Sequence, residues 1–255
     1  MNYIVKKNIN IKRYNLAVAI PVFNNPQNIK LLYEDFYKSK FKNILLCFVD
    51  DSNNSESINE IEKYFKKNIV IFKGPRKKNG RNIAVHFVFK WILKNLNIKY
   101  LAEFDSDNSY RFIDLKKGFK KIKNTNSDMI IGSKYLKGSK IIKRPTIRNL
   151  ISSFTSFVCK NLFVKKINDY TNAQRIYSAK FYEKILKKKV FFESPHENLN
   201  ILLYSIQIKG KISEYETWYI GNDQSHWVSN YFTLIKDGFT TLNLILFYFF
   251  KKLFN

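Results

Sequence analysis

Tyr100-Leu-Ala-Glu-Phe-Asp-Ser-Asp107 is a short apolar run that stops on two carboxylates one residue apart. Ile44-Leu-Leu-Cys-Phe-Val-Asp-Asp51 has the same construction and ends on adjacent acids. A brief apolar run bounded by polar residues reads as a buried strand. Three more runs fit that reading: Leu16–Val22, Ile69–Phe72 and Met129–Gly132. Helical patterns lie between them, at Pro26–Lys38, Glu56–Lys67, Asn82–Leu96 and Phe112–Ile122. Pro26 stands at a helix start, where its missing N–H costs little. Apolar strands alternating with helices imply a doubly wound, mostly parallel α/β sheet covered on both faces. Such sheets bind ligands beyond the carboxyl ends of their strands. Asp50, Asp51, Asp105 and Asp107 are therefore expected in one crevice.

The second half is less regular. Thr146–Phe163 and Ala179–Lys188 have helical patterns. Ser194–Lys209 does too, with Ser194 and Glu197 at capping-box spacing. Lys211–Tyr219 reads as a strand. The tail, Tyr231–Asn255, contains Leu244-Ile-Leu-Phe-Tyr-Phe-Phe250, flanked by Lys236 and by Lys251-Lys252. A membrane span needs about 20 apolar residues, and Lys236-Asp237 cuts this run short. An interfacial helix is the favoured reading of the tail; the alternative is a helix packed on the domain or on a second subunit. The expected organisation is a domain over residues 1–228 and a helical tail over 229–255.

The chain has 255 residues, enough for one sizeable core. Its 45 Lys and Arg against 20 Asp and Glu leave a formal charge of +25. That balance suits an anionic partner: nucleic acid, an anionic membrane surface or a phosphorylated substrate. Richness in Lys, Asn, Ile, Phe and Tyr together is also what an AT-rich genome produces. A basic, non-catalytic binding module is thus an alternative, but no nucleic-acid motif is present and acidic strand ends without a metal repel phosphates. Cys47 and Cys159 form no disulfide framework, which fits a reducing compartment. His86, His196 and His226 are scattered, which argues against a zinc site. Leu16–Val22 is too short, and broken by Pro21, to be a signal-peptide core.

Carboxylates crowded at a ligand-binding edge repel one another unless a cation joins them. Asp105-Ser-Asp107 puts two on the same side of an extended segment. Hard oxygen ligands in that number suit Mg²⁺ or Mn²⁺ completed by substrate phosphates. The alternative is ordinary turn chemistry, since Asp, Ser and Asn favour strand ends.

Six segments in order resemble the family 2 glycosyltransferases of GT-A fold, and among them the dolichol-phosphate or polyprenyl-phosphate mannosyl and glucosyl synthases. Ala19-Ile-Pro-Val-Phe-Asn-Asn25 is similar to P-x-[YF]-N-E, and Val49-Asp-Asp-Ser-Asn53 to V-D-D-G-S. Asp105-Ser-Asp107 is similar to the D-A-D metal motif, and Gly132-Ser-Lys-Tyr135 to G-S-R-Y. Asp169-Tyr-Thr-Asn-Ala-Gln-Arg175 resembles D-x-T-[SN]-G-F-R; Glu214 and Gln224-Ser-His-Trp227 resemble the late E-x-P and G-x-S-K-W region. Asn25, Ser52-Asn53, Lys134 and Ala173-Gln174 depart from those patterns. Lys for Arg at 134 turns a bidentate phosphate contact into a point charge.

The resemblance implies an inverting, metal-dependent hexosyltransferase using a GDP- or UDP-sugar at the cytoplasmic face of a membrane, with no nucleic-acid partner. Pro21 and Asn24 would shape the nucleotide pocket, Asp51 would contact the base, and Asp50 would support its loop. Gly80 and Arg81 would lie near the donor phosphates, beside a helix N-terminus at Asn82. Asp105 would approach the donor sugar and, with Asp107, hold the metal. Lys134 and Arg148 would face the acceptor phosphate or the leaving diphosphate, and Asp169, Thr171 and Asn172 would line the acceptor side. A polyprenyl phosphate is already anionic and needs only positioning. A glycan hydroxyl, the alternative acceptor, needs a base, for which Asp169, His196 and Glu197 are candidates. Several of the residues have a plainer reading: Arg148 and Arg175 as solvated charges, Gly80 as a turn, Glu197 as a helix cap.

Overall fold

The computed structural model describes residues 3–9, 14–74, 80–187, 196–221 and 231–254, the side chains of 231–235 excepted. Lys12, Arg13, Ser194, Gln224-Ser-His-Trp227 and the 228/229 boundary lie outside the described residues.

The first half alternates strand and helix as expected: β1 (Ile4–Asn8), β2 (Leu16–Val22), α1 (Pro26–Ser39), β3 (Ile44–Asp50), α2 (Glu56–Tyr64), β4 (Ile69–Lys73), α3 (Arg81–Asn95), β5 (Tyr100–Glu103) and α4 (Phe112–Thr125). The second half adds β6 (Met129–Ser133), β7 (Lys140–Ile142), α5 (Thr146–Leu162), β8 (Arg175–Ser178), α6 (Ala179–Lys187), α7 (Glu197–Gln207), β9 (Ile212–Glu216), β10 (Trp218–Ile220) and α8 (Tyr231–Leu253).

Eight strands form one sheet in the order β1-β4-β3-β2-β5-β8-β6-β9. The central strands β4, β3, β2 and β5 are parallel, while β1 and β8 run antiparallel to their neighbours. The chain leaves β2 for β3 and β4 on one side and returns to β5 on the other. A crevice therefore opens between the carboxyl ends of β2 and β5.

Strand alternation builds the two cores. On β2, Ala17 and Ala19 face a layer from α3, α6 and α7; Leu16, Val18, Ile20 and Val22 face α1, α2 and α4. Small residues on the first face let α3 approach closely with Val88, Phe89 and Ile92.

Several boundaries differ from expectation. The second helix stops at Tyr64 instead of running to Lys67, because Phe65 is extended and Asn68 takes a positive φ of 58°. The third begins at Arg81, one residue before Asn82. The single strand expected over Lys211–Tyr219 is two: β9 joins the large sheet and β10 pairs with β7 in a separate ribbon. The patterns left β1, β7 and β8 unmarked. The tail helix α8 packs Ile245 and Tyr248 onto the core, and the Tyr248 hydroxyl donates to Asn200 Oδ1 of α7 at 2.7 Å. It leaves Phe239, Leu242, Leu246, Phe247, Phe250 and Leu253 exposed.

Gly118 of α4 lies under Tyr215 of β9, where a Cβ would sit 2.7 Å from the ring. Ala normally improves a helix by about 1 kcal/mol over Gly, whereas overpacking costs about 1–3 kcal/mol. Tyr215 is 3% exposed and has little room to retreat. Gly118→Ala is therefore expected to lower the melting temperature; calorimetry reads the sign.

Candidate active site

Three loops frame the crevice and are tied to one another. Asn24, at φ 47°, donates its N–H to Ser52 Oγ at 2.8 Å, and its Oδ1 accepts the Asn53 N–H at 3.0 Å. Ser106 Oγ donates to the Pro21 carbonyl at 2.8 Å, and Asn25 Nδ2 donates to the Ser106 carbonyl at 3.2 Å. The loop after β2 is thus fixed to the loops after β3 and β5.

The Asp50 carboxylate accepts from both the N–H and the hydroxyl of Ser52. Burial nevertheless raises its proton affinity, which Ser52 lowers only in part. Asp51 is buried and accepts the Tyr3 hydroxyl at 3.0 Å. Tyr3 precedes β1 and packs on Phe87 of α3, so a sheet-edge strand delivers a donor to the crevice. Gly74 allows this approach, because a Cβ there would collide with the Asp51 carboxylate.

On the β5 side, Arg81 bridges two acids. Its Nε donates to Asp105 Oδ1 at 2.6 Å and its Nη1 to Glu103 Oε2 at 2.9 Å. The other Glu103 oxygen accepts the Tyr177 hydroxyl at 2.7 Å. Gly80 caps α3 at φ 92°, a conformation open to Gly at no steric cost. Asp107 accepts the Ser109 N–H at 2.9 Å. Burial, and then the charge of Asp105, push its proton affinity up.

The opposite wall is built on Asp169. It is fully buried, and its two oxygens accept five hydrogen bonds: from the Lys134 N–H and ammonium, the Thr171 N–H and hydroxyl, and the Asn172 N–H. Burial would raise its pKa, but Lys134 at 2.7 Å outweighs burial and lowers it. Burial lowers the Lys134 ammonium despite Asp169, helped by the nearby charges of Arg144 and Arg148. Glu214 accepts the N–H groups of Asn168 and Asp169 and holds the loop from behind. Asn172 Oδ1 accepts the Tyr110 hydroxyl at 2.8 Å, joining this wall to the loop after β5.

Residues 17–186 match the family described as Glycosyl transferase family 2. The chain belongs to that family. An uncharacterized protein of Methanocaldococcus jannaschii is 25% identical to the transferase over 169 residues, covering 65% of this chain and 72% of its own. S. aureus TarS 1–349 superposes with a TM-score of 0.59 at 18% identity, over 92% of this chain and 65% of that one. The transferase thus spans slightly under two thirds of that TarS chain. Glucosyl-3-phosphoglycerate synthase from Mycobacterium tuberculosis superposes at 0.65 and 10% identity, over 92% and 80%. Mannosyltransferase PcManGT from Pyrobaculum calidifontis superposes at 0.58 and 11%, over 84% and 59%. At these identities the structures share the GT-A fold, which is the fold the motifs implied.

A divalent metal, implied by the motif resemblance, fits the donor set. Among the described residues no group of three or more His, Cys, Asp and Glu side chains converges as a metal cage. A Mg²⁺-like ion takes one or two carboxylates and completes its shell with phosphate and water. Asp105 and Asp107 are such a pair, and their mutual repulsion is what a cation relieves.

Two sequence expectations need correction. Asp169 is not open to a substrate proton, since it is buried with both oxygens occupied; it positions the loop. Arg175 is no solvated charge: it is fully buried, and its Nε donates to the Asn172 carbonyl at 2.9 Å. His196 faces α8, with Thr241 at 3.1 Å and Asp237 at 3.8 Å. Glu197 is 4% exposed and lies in the field of Glu103, Arg81 and Arg175; its expected capping partner Ser194 lies outside the described residues. Tyr3, Glu103 and Tyr177 carried no sequence signal, since none belongs to a motif and each acts across a long stretch of chain.

Tyr3→Phe removes one donor from a buried carboxylate. A hydrogen bond to a charged group contributes about 1.5–3 kcal/mol, reduced here because Tyr3 is partly exposed. Urea titration should show a loss of about 1 kcal/mol, and calorimetric nucleotide titration weaker binding.

Proposed function

We propose that this family 2 transferase moves a hexose, with inversion, from a UDP- or GDP-sugar to the phosphate of a polyprenyl carrier. The crevice divides into an acidic donor half and a basic acceptor half, and that division carries the reading. Asp51 would receive the base, and Asp105 with Asp107 would hold Mg²⁺ or Mn²⁺ against the diphosphate. Complexes of related folds support the donor half: PcManGT with GDP-Man and Mn²⁺, TarS with UDP-GlcNAc, and the synthase with UDP and Mn²⁺. When bound, the metal would neutralise charge building on the leaving diphosphate.

The acceptor half would be Lys134, Arg144 and Arg148 against the buried carboxylates of Asp169 and Glu214. Three cations exceed the two carboxylates, so an anion is favoured there. Arg144 is held by Asn149 at 3.0 Å and Ser152 at 2.8 Å on α5. A phosphate oxygen placed on that side would attack the anomeric carbon as the nucleoside diphosphate departs from the opposite face. Being already anionic, it would need positioning and no base. Such an acceptor puts the enzyme at a membrane surface, on the cytoplasmic side where nucleotide sugars are used. The test is transfer of labelled sugar from UDP-glucose, UDP-GlcNAc or GDP-mannose, with Mn²⁺, into solvent-extractable polyprenyl phosphate. Asp107→Ala should cut kcat/KM by about 100-fold or more and abolish the Mn²⁺-dependent thermal shift by donor. No lipid-linked sugar from any donor would overturn the reading.

One observation favours a hydroxyl acceptor as a second reading. Burial, then the Glu103 charge, pushes the Glu197 carboxyl up to about 8 from an ordinary 4.5, a value suited to a general base. The folded state then holds a proton that the unfolded state has released. Stability should fall as pH rises from the unfolded value toward about 8, and Glu197→Gln should flatten that slope. If Glu197 is the base, glycan transfer should also rise along the same limb, and the limb should vanish in Glu197→Gln.

A further inference from the structure

We infer that α5 and α8 together form one membrane-docking face, seated on the headgroup region of an anionic leaflet. The inference extends the lipid-acceptor reading to the bilayer that would carry the acceptor, and its test needs neither donor nor transfer.

Helix α5 turns Ser152, Ser156 and Cys159 inward and leaves Ile147, Leu150, Ile151, Phe154 and Phe157 exposed. Their spacing of three and four residues places them on one stripe. Phe154 is 68% exposed and Phe157 65%, an unusual setting for two phenylalanines on one helix of a folded domain. Helix α8 behaves likewise: Ile245 and Tyr248 point inward, while Phe247 at 57% and Phe250 at 52% point out. The two helices meet at their carboxyl ends, where Lys252 Nζ donates to the Leu162 carbonyl at 2.9 Å. Cys159, Ile245 and Tyr248 belong to one core cluster, so both helices rest on the same layer. Most of the exposed large hydrophobics among the described residues lie on these two segments.

Charge selects the occupant. Helix α5 carries Arg148 and Lys160 and no acid. Helix α8 carries Lys236, Lys251 and Lys252 against one acid, Asp237, which stands 3.8 Å from His196. A second copy would bring the same cations to the same face, in a chain already at +25, and like charges across an interface oppose pairing. An anionic leaflet complements them, with the aromatic stripe in the acyl boundary and lysines at the headgroups. No helix among the described residues is long and apolar enough to cross a membrane, so the face lies on the bilayer. It also begins at the acceptor wall, because Arg144 is tied to the first turns of α5 and Arg148 acts on Lys134.

The test is flotation of the full chain with vesicles of equal parts phosphatidylcholine and phosphatidylglycerol, and with phosphatidylcholine alone. Wild type should float with the anionic vesicles and much less with the neutral ones. Phe154→Gln with Phe157→Gln, and separately Phe247→Gln with Phe250→Gln, should each weaken partitioning at least about tenfold at an unchanged melting temperature. Should either pair fail to fold, Phe154→Trp replaces it, with a blue-shifted emission on anionic vesicles as the expected signal. Absence of wild-type flotation, or either folded pair floating like wild type, overturns the inference. So does sedimentation equilibrium showing a dimer that the same substitutions dissociate, since the face would then belong to a second copy. Failure here leaves the transferase reading intact, and failure of lipid transfer leaves vesicle binding to be judged separately.

Discussion

Asp50, Asp51, Glu103, Asp105, Asp107 and Asp169 meet at the carboxyl edge of one sheet, and four of them, Asp50, Asp51, Glu103 and Asp169, are buried. Unpaired buried charges are among the most expensive features a fold can carry, so the fold must balance them. The chain meets the demand in three ways. Arg81 spans Glu103 and Asp105 with one guanidinium, a fork Lys would not provide. Lys134, through its ammonium and its N–H, and three further donors saturate Asp169. Hydroxyls from Ser52 and Tyr3 serve Asp50 and Asp51. Burial and the charge of Asp105 raise the proton affinity of Asp107, and an added cation would relieve both.

This balancing also sets the shape of the crevice. Arg81 opens α3, so satisfying Glu103 fixes where that helix begins. Lys134 follows β6 and Asp169 precedes β8, so their pairing draws two antiparallel neighbours into place at that wall of the crevice. Breaking a buried pair by deleting one partner costs about 3–5 kcal/mol. Substitutions at Lys134 would therefore confound any effect on the proposed acceptor with stability, whereas half-buried Arg148 offers a cleaner probe.

How much of this was legible in the residues depended on distance along the chain. Strands β2, β3 and β5 announced themselves because both faces are buried, which makes a continuous apolar run. The acid pairs were legible for the same reason, since a carboxylate following such a run has few places to go. Strand β8 was not: Arg175-Ile-Tyr-Ser178 looks like an ordinary polar segment. Its arginine is buried only because β8 inserts between β5 and β6, a pairing no local pattern encodes. Arg81 meets its acids across 22 and 24 residues, and Tyr3 meets Asp51 across 48. Glu197 carried a capping signal at the right spacing, but its burial beneath the crevice comes from tertiary packing that no local pattern encodes.

The edge strand β1 gives the chain's excess lysine a definite use at one place. An open strand exposes a row of unpaired backbone groups that can template a foreign strand. Here the outermost strand bears Lys6 and Lys7 side by side, the first paired with Glu62 at 2.7 Å and the second over the Trp91 ring at 4.8 Å. Charges anchored along the rim discourage sheet-to-sheet stacking between molecules. Neutralising those two lysines would strip that barrier from the rim and leave the sheet edge open to another strand.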